Sequence, residues 1–409
     1  MSDRGPLDAR LHHPLPHLAE PALTLTEVAG LRAAGVAAGI KPSGRPDVAL
    51  LVADEAVSVA GVFTQNRLAA APVALSRAHL EKTGGRMRAL VVNSGNANAC
   101  TGAQGEADAL EMCSRVARAL GCPVEEVLVC STGVIGHKLP MGRVREGIDA
   151  ALAALSPERA AGRSFLQAIM TTDAVPKEHG EAGEGSRVAG VCKGAGMIHP
   201  DMATMLAFVA TDARWSPEAL RSMIPGVARG SFNAVHVDTH PSTNDTFLWI
   251  ATGRGAAGGD EDRARVERVS RRLAWMIARD GEGATKVTTV TVRGASSDEA
   301  ARAVADYVAS SALVRAALFG NDPNWGRFVS QVGNSKAVRD VTGLRCALQG
   351  VVVFEGGEPT GFDRAALSAA MRAEDVSLEL ELREGRGEAS VMTSDLSYRY
   401  VEVNAEYTT

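Results

Sequence analysis

Along most of the chain, short runs of apolar residues alternate with longer amphipathic stretches. Apolar runs typical of strands occupy residues 48–53, 57–63, 88–93, 127–131, 188–193 and 204–210. Apolar residues at helical spacing occupy residues 106–120, 141–155, 160–170, 218–229, 260–280 and 300–316. Residues 286–292 alternate at period 2, as in a half-buried strand. This layered alternation predicts an α/β or α+β fold.

Three segments depart from this rhythm. Residues 1–24 are polar and proline-rich, which predicts an N-terminal arm outside the folded core. The glycine-rich sequence HGEAGEG, residues 179–185, predicts an exposed loop. Residues 348–403 predict strands around one short helix near residues 363–372.

Composition narrows the classes of protein to consider. The chain has 409 residues, of which 45% are hydrophobic and 22% charged, so bulk disorder is excluded. A net charge of −5 argues against nucleic acid and anionic membranes as partners. No apolar run reaches the ~18 residues of a membrane-spanning helix, and the N-terminus lacks the apolar core of a secretory signal. We therefore expect a cytoplasmic protein.

Six cysteines are scattered singly, without a CxxC pair. This spacing argues against a zinc knuckle or a redox pair and favours buried thiols in a reducing compartment. We expect no bound metal and no cofactor.

The densest chemical signal is KGAGMIHPDMATML, residues 193–206. Lys193 stands between a predicted strand and a glycine turn, and Thr204 begins the next apolar run. A threonine hydroxyl is a weak nucleophile unless a base is beside it. Chain cleavage just before Thr204 would free an α-amino group with a pKa of about 8, which can serve as that base. From spacing alone, a glycine-rich strand–turn–strand with a solvated lysine is the favoured interpretation of the segment.

This segment resembles the self-cleavage motif of the ornithine acetyltransferases, also called glutamate N-acetyltransferases, of arginine biosynthesis. The resemblance extends over most of the chain in the same order. Further blocks that resemble the family are GVFTQNRLAAAPV (61–73), VVNSGNANACTG (91–102), CSTGVIG (130–136), MTTD (170–173), STNDT (242–246), DGEGATK (280–286), NDPNWGR (321–327) and YVEVNAEYTT (400–409).

The resemblance implies self-cleavage between Ala203 and Thr204, into an α chain ending at residue 203 and a β chain of residues 204–409. Both chains would contribute to one folded unit, and residues 25–203 would form the folded part of the α chain. It implies a layered α-β-β-α sandwich with a smaller second domain and an assembly of two α and two β chains. It also implies that Thr204, an N-terminal nucleophile, carries acetyl from N2-acetylornithine to glutamate in a ping-pong reaction.

The resemblance also assigns roles to individual residues. An acetyl transfer passes through a tetrahedral oxyanion, which needs fixed hydrogen-bond donors. The Thr132 hydroxyl and the Gly133 N–H are cast as those donors, at a turn where a predicted strand ends. The residues expected to bind substrate are Thr171, Lys193, Thr204, Glu282, Asn404 and Thr409. We expect Glu282 to meet a cationic group, and Lys193 to meet a carboxylate or help to activate Thr204.

Two departures from the family pattern leave questions open. Asp201 stands where Asn is common, close to the expected cleavage point, and could retune cleavage. His236, Asp238 and His240 would share one face if that segment were a strand, so a metal site there is a minor alternative to a polar surface.

Two alternatives to the acetyltransferase also stay open. A related self-processing amidase or aminopeptidase would use water as the acceptor. A non-catalytic descendant would bind amino acids without cleavage or transfer. The sequence leaves undecided whether acetyl-CoA is also a donor, and whether the chain serves arginine biosynthesis or is a paralogue recruited to secondary metabolism.

Overall fold

The computed structural model describes residues 22–199 and 205–406, which divide into two compact units. The larger unit holds the described residues up to 233 and residues 240–277. The smaller unit holds residues 234–239 and 278–406. Residues 1–21 of the predicted arm lie outside the described residues. Thr24, the last residue of that arm, is the N-cap of a short 3-10 helix, Leu25–Glu27.

The larger unit is built on an eight-stranded sheet. Its strands are β1 (Leu31–Val36), β2 (Val48–Phe63), β3 (Arg86–Asn96), β4 (Val127–Val134), β5 (Lys177–Gly183), β6 (Ser186–Lys193), β7 (Leu206–Thr211) and β9 (Thr246–Ala251). The strand order is β4-β3-β2-β9-β7-β6-β5, and β1 pairs with β2. Its helices are α1 (Ala71–Lys82), α2 (Gly102–Leu120), α3 (Met141–Ala153), α4 (Arg159–Ile169), α5 (Pro217–Arg229) and α6 (Asp260–Arg279), the last up to Ile277.

Both faces of this sheet are covered, which is why its strands read as continuous apolar runs. Alternate residues of β2 enter different cores because strand side chains alternate between faces. Leu51 packs on one face with Phe165 of α4. Leu50 packs on the other face with Met112 of α2 and Val144 of α3.

The smaller unit is built on a seven-stranded sheet of order β13-β12-β11-β14-β10-β15-β8. Its strands are β8 (Val235–His236), β10 (Val287–Ala295), β11 (Arg345–Leu348), β12 (Val351–Glu355), β13 (Glu358–Pro359), β14 (Asp375–Glu381) and β15 (Gly387–Ser394). Its helices are α7 (Asp298–Ala309), α8 (Ala312–Phe319), α9 (Trp325–Asn334), α10 (Arg364–Ala370) and α11 (Tyr398–Glu406). A single core joins β10 and β14 to α7 and α9.

These two helix-flanked sheets confirm the predicted mixed α/β class with a second, smaller unit. No helix within 22–199 or 205–406 is both long enough and apolar enough to cross a membrane.

Three predictions about single elements are wrong. The expected loop at residues 179–185 is largely strand β5. Among the described strands β5 pairs with β6 alone, at the edge of the sheet, where polar side chains are tolerated. The expected helix at residues 300–316 is two helices, because Ser311 caps a new one. The chain end that we expected to be strand forms helix α11.

Candidate functional site

The two predicted oxyanion residues lie at the end of β4, where that strand runs parallel to β3. Gly133 has a φ of +131°, and a Cβ there would lie 2.3 Å from the carbonyl carbon of Gly95. Only glycine fits so close to the neighbouring backbone. The chain therefore presents the Thr132–Gly133 peptide in a conformation that no other residue at 133 would allow.

The side chain of Lys193, the last residue of β6, extends to the same end of β4. Its Nζ donates a hydrogen bond of 3.0 Å to Oγ1 of Thr132, and each of the two residues is only 2% exposed. An ammonium group can only donate, so it occupies an acceptor lone pair of Thr132 and leaves the hydroxyl proton free to point elsewhere. A buried hydroxyl polarised in this way is suited to donate to a developing oxyanion.

Asp173 connects this pair to Thr171, and the sequence analysis missed it. Its Oδ2 accepts from the N–H of Thr171 at 2.9 Å. Its Oδ1 accepts from the N–H of Gly194 and from Nζ of Lys177, each at 2.7 Å. The structure thus brings Thr171 together with the turn that follows Lys193.

The charge of this carboxylate is well compensated. Burial alone would raise the pKa of Asp173, but the ammonium groups of Lys177 and Lys193 and its hydrogen bonds hold that pKa below its usual range. Asp173 is therefore an anion at neutral pH, in contact with Lys177 and close to Lys193. The sequence signal for this residue was the aspartate of the MTTD block, of which only the threonine had a predicted role.

Lys41 is a second residue that the sequence analysis missed. It lies in the connection between β1 and β2, and its Nζ donates to the carbonyl of Pro46 at 2.7 Å. Burial, opposed by Asp47 and Asp173 and reinforced by Lys193, lowers the pKa of Lys41 to about 8. A Cβ on Gly95 would lie 2.9 Å from Cγ of Lys41, so this lysine stem packs against the same glycine that adjoins Gly133.

The segment STNDT, residues 242–246, is a third contributor without a predicted role. Asn244 Nδ2 donates to the carbonyls of Ala97 at 2.6 Å and Ser131 at 2.8 Å. Asp245 Oδ1 accepts from the N–H of Met205 at 2.8 Å. The segment therefore holds the chain at Ser131, which precedes Thr132, and at Met205, which follows Thr204.

The predicted residues Ala203, Thr204, Asp201 and Thr409 lie outside the described residues. Their neighbours in the chain are described. β6 and β7 pair antiparallel with Lys193 opposite Leu206, so the expected cleavage point falls in the connection between two adjacent strands.

The remaining predicted residues belong to the smaller unit. Glu282 lies in the turn between α6 and β10, and its Oε2 accepts from Nδ2 of Asn404 on α11 at 3.0 Å. The structure therefore brings these two predicted substrate residues together.

The His236, Asp238 and His240 segment is not the strand that we considered, because β8 ends at His236. Nε2 of His236 instead lies 2.8 Å from Oδ1 of Asp306. Among the residues that the structure describes, no group of three or more His, Cys, Asp or Glu side chains could hold a metal ion. The six cysteines are free thiols, of which Cys113, Cys130, Cys192 and Cys346 are buried.

The chain is similar to known proteins over most of its length. The arginine biosynthesis bifunctional protein ArgJ of Thermus thermophilus is 47% identical over 383 residues, which cover 93% of this chain and 98% of that protein. The ArgJ protein of Geobacter sulfurreducens is 45% identical over 396 residues, 93% of this chain and 100% of that one.

Solved structures also match. A Bacillus halodurans ArgJ structure is 34% identical, with a TM-score of 0.48, and covers 50% of this chain and 100% of its own. An ornithine acetyltransferase from Mycobacterium tuberculosis in complex with ornithine is 39% identical, with a TM-score of 0.40, covering 43% of this chain and 94% of its own.

The match to the family extends through both units. The ArgJ family profile spans residues 32–409, which include the predicted oxyanion residues, Lys193, the STNDT segment and Glu282. The chain belongs to the ArgJ family.

Proposed function

We propose that the chain is a self-processing acetyltransferase that moves acetyl from N2-acetylornithine to glutamate through an ester on Thr204. The observation that carries the proposal is the buried bond from Lys193 Nζ to Thr132 Oγ1 at 3.0 Å. It prepares a hydroxyl donor at a strand end whose next residue, Gly133, must be glycine. The names of the curated relatives, arginine biosynthesis bifunctional protein, support the pathway and a second activity, for which we propose acetyl-CoA as the donor.

The first reaction is cleavage of the chain. Thr204 Oγ attacks the carbonyl carbon of Ala203, the C–N bond breaks, and the acyl group moves from nitrogen to oxygen. Water then hydrolyses that ester, giving a carboxylate on Ala203 and a free α-amino group on Thr204. The pairing of β6 with β7 favours this chemistry because it fixes both ends of the connection that contains the bond.

The second reaction is acetyl transfer in two steps. The α-amino group of Thr204 takes the hydroxyl proton as Oγ attacks the acetyl carbonyl of N2-acetylornithine. The oxyanion accepts hydrogen bonds from the Thr132 hydroxyl and the Gly133 N–H. The proton passes to the leaving nitrogen, and ornithine departs. The amino group of glutamate then attacks the acetyl ester and restores the Thr204 hydroxyl.

Substrate recognition is divided between charged and polar groups. We assign Glu282, oriented by Asn404, to a cationic group of the ornithine substrates, and Thr171 and Thr409 to polar contacts. Lys193 acts chiefly on Thr132. Separate kinetics of Glu282→Gln with each substrate test this division, and an unchanged KM for N2-acetylornithine would contradict the role of Glu282.

A denaturing gel and one assay test the whole proposal. Purified wild-type protein gives two bands, and Thr204→Ala gives one. Thr342→Ala, at an exposed threonine, is the matched control and cleaves normally. With N2-acetylornithine and glutamate the cleaved protein forms N-acetylglutamate. A single wild-type band, or no acetyl transfer, contradicts the proposal.

The same assay distinguishes the proposed transferase from the amidase alternative. Without glutamate, a transferase stops after one equivalent of ornithine per site, whereas a hydrolase continues and releases free acetate. Acetyl-CoA in place of N2-acetylornithine tests the second donor. We further propose a cytoplasmic assembly of two α and two β chains, for which light scattering gives the mass.

A further inference from the structure

Asp245 is a buried acid that the mechanism above does not use. It is 0% exposed and directly precedes β9. Its Oδ1 accepts from the N–H of Met205 at 2.8 Å, while its buried Oδ2 has no hydrogen-bond partner among the described residues. Leaving an ionised carboxylate oxygen buried and unpaired is costly, so this arrangement favours the neutral acid.

The surroundings agree with a neutral Asp245. Burial raises its pKa well above the ordinary value, although the Met205 N–H, the charge of Lys193 and the nearby polar groups of Ser242 act in the opposite direction. A protonated carboxyl group keeps one oxygen as an acceptor for Met205 and carries its proton on the other oxygen.

The contacts of Asp245 hold a particular stretch of chain. Met205 is bound through both of its peptide groups, since its N–H donates to Asp245 and its carbonyl accepts from the N–H of Thr246 at 3.1 Å. The nitrogen held by Asp245 is the atom bonded to the carbonyl carbon of Thr204. From the same segment, Asn244 binds the carbonyl of Ser131, next to Thr132.

We propose that Asp245 is a positioning residue that, as a neutral acid, anchors Met205, the residue bonded to the proposed nucleophile Thr204. The inference rests on the proposed function of Thr204. Neutrality matters because the base in that mechanism is an uncharged α-amino group. A carboxylate beside it would stabilise the ammonium form and remove the base at neutral pH.

Two substitutions of the same residue test this. Asp245→Asn keeps the acceptor for Met205 and a donor in place of the acid proton, so self-cleavage and kcat stay within about 3-fold of wild type and the pH profile is unchanged. Asp245→Ala removes the anchor, and we expect a loss on the order of 100-fold in both rates with little change in KM. Asp340→Asn, at an exposed aspartate, is the matched control.

A second measurement covers the case in which Asp245→Ala does not fold. Infrared difference spectra between wild type and Asp245→Asn at neutral pH report the carbonyl stretch of a protonated carboxylic acid. Its presence in wild type supports the proposal. Its absence, an Asp245→Asn variant as inactive as the alanine variant, or an alanine variant as active as wild type, overturns it. Wild-type protein that neither cleaves itself nor transfers acetyl would contradict the proposed function instead.

Discussion

Single residues in the site are constrained by the backbone around them more than by their own chemistry. Gly133 packs against the backbone of Gly95, and Gly95 packs against the stem of Lys41. Lys193 and Asp173 then place charge on either side of the turn that follows β6. At this scale, two substitutions separate geometry from charge.

Gly133→Ala tests the geometry. Its Cβ would lie 2.3 Å from a backbone carbon, and the φ of +131° is strained for alanine. We expect displacement of the oxyanion donors and a fall in kcat of about 100-fold or more. Gly121→Ala is the control, because its φ is +65° but nothing lies within 4 Å of the new Cβ. It should cost about 1 kcal/mol of stability and leave kcat unchanged. Equal activity of the two variants would refute the close fit.

The pH dependence of the free energy of unfolding tests the effect of burying the charge of Lys41. Its pKa is about 8 in the folded chain and about 10.4 when unfolded. Between these values the unfolded chain binds more protons, so this lysine makes the free energy of unfolding rise with pH, by up to about 3 kcal/mol. Below pH 8 the folded state bears the cost of burying the charge.

Urea unfolding of wild type and Lys41→Met across that range measures the effect. The stability of wild type relative to the variant should increase from pH 8 to pH 10. A constant difference would show that the lysine titrates normally. Lys82→Met, at an exposed lysine, controls for general effects of lysine removal.

At the scale of elements, the predictions were correct where an apolar pattern extended over many residues. They were wrong where the prediction depended on a few local residues. Period-2 and helical patterns found most of the central strands and the long helices. β5 was missed because its glycines suggested a loop, yet the lack of a side chain at Gly180 lets Leu23 pack there, with its Cβ 2.7 Å from where a Cβ would be. α11 was missed because only Val403 among its described side chains is buried, so it has no apolar stripe.

The site shows the same limit. Thr132, Gly133 and Lys193 were predicted from sequence blocks, but the contact between Thr132 and Lys193 spans 61 residues and no local pattern contains it. Asp173 and Asp245 belong to the MTTD and STNDT blocks, but the sequence predicted no role for either residue. Their importance comes from burial and from backbone N–H groups that approach them in three dimensions, neither of which can be predicted from spacing.

The break between α7 and α8 gives a prediction for an element. Ser311 Oγ accepts from the N–H of Val314 and starts α8, where the sequence suggested one continuous helix. Ser311→Ala should lower the free energy of unfolding by about 1 kcal/mol. Ser310→Ala, which removes only an exposed hydroxyl bonded to the carbonyl of Tyr307, should cost less. Equal urea midpoints for the two variants would contradict the capping role.

At the scale of the whole molecule, the larger sheet interleaves strands from both sides of residue 203. β7 and β9, which follow it, lie between β2 and β6, which precede it. The two products of cleavage would therefore share one sheet and one set of cores rather than forming separate domains.

This arrangement predicts that the cleaved chains stay together. Pieces of residues 1–203 and 204–409 should co-elute in native size exclusion and unfold in one transition, although they separate on a denaturing gel. Residues 1–203 expressed alone should be insoluble or unfolded, because they lack β7 and β9 from the middle of the larger sheet. Recovery of residues 1–203 as a folded protein would contradict the shared sheet. Co-expression of the two pieces is the matched control.

The pairing of β7 on both sides has a consequence for the entropy of catalysis. A free chain end normally frays, and ordering each of its residues costs about 1–2 kcal/mol. Here the end created by cleavage would lead directly into a fully buried strand, with Met205 held at both peptide groups. The free-energy cost of ordering these residues is then incurred once, during folding, and does not recur in each turnover. The new terminus would supply a free amine, and Met205, the residue that follows it, is held in place like the core strand it leads into.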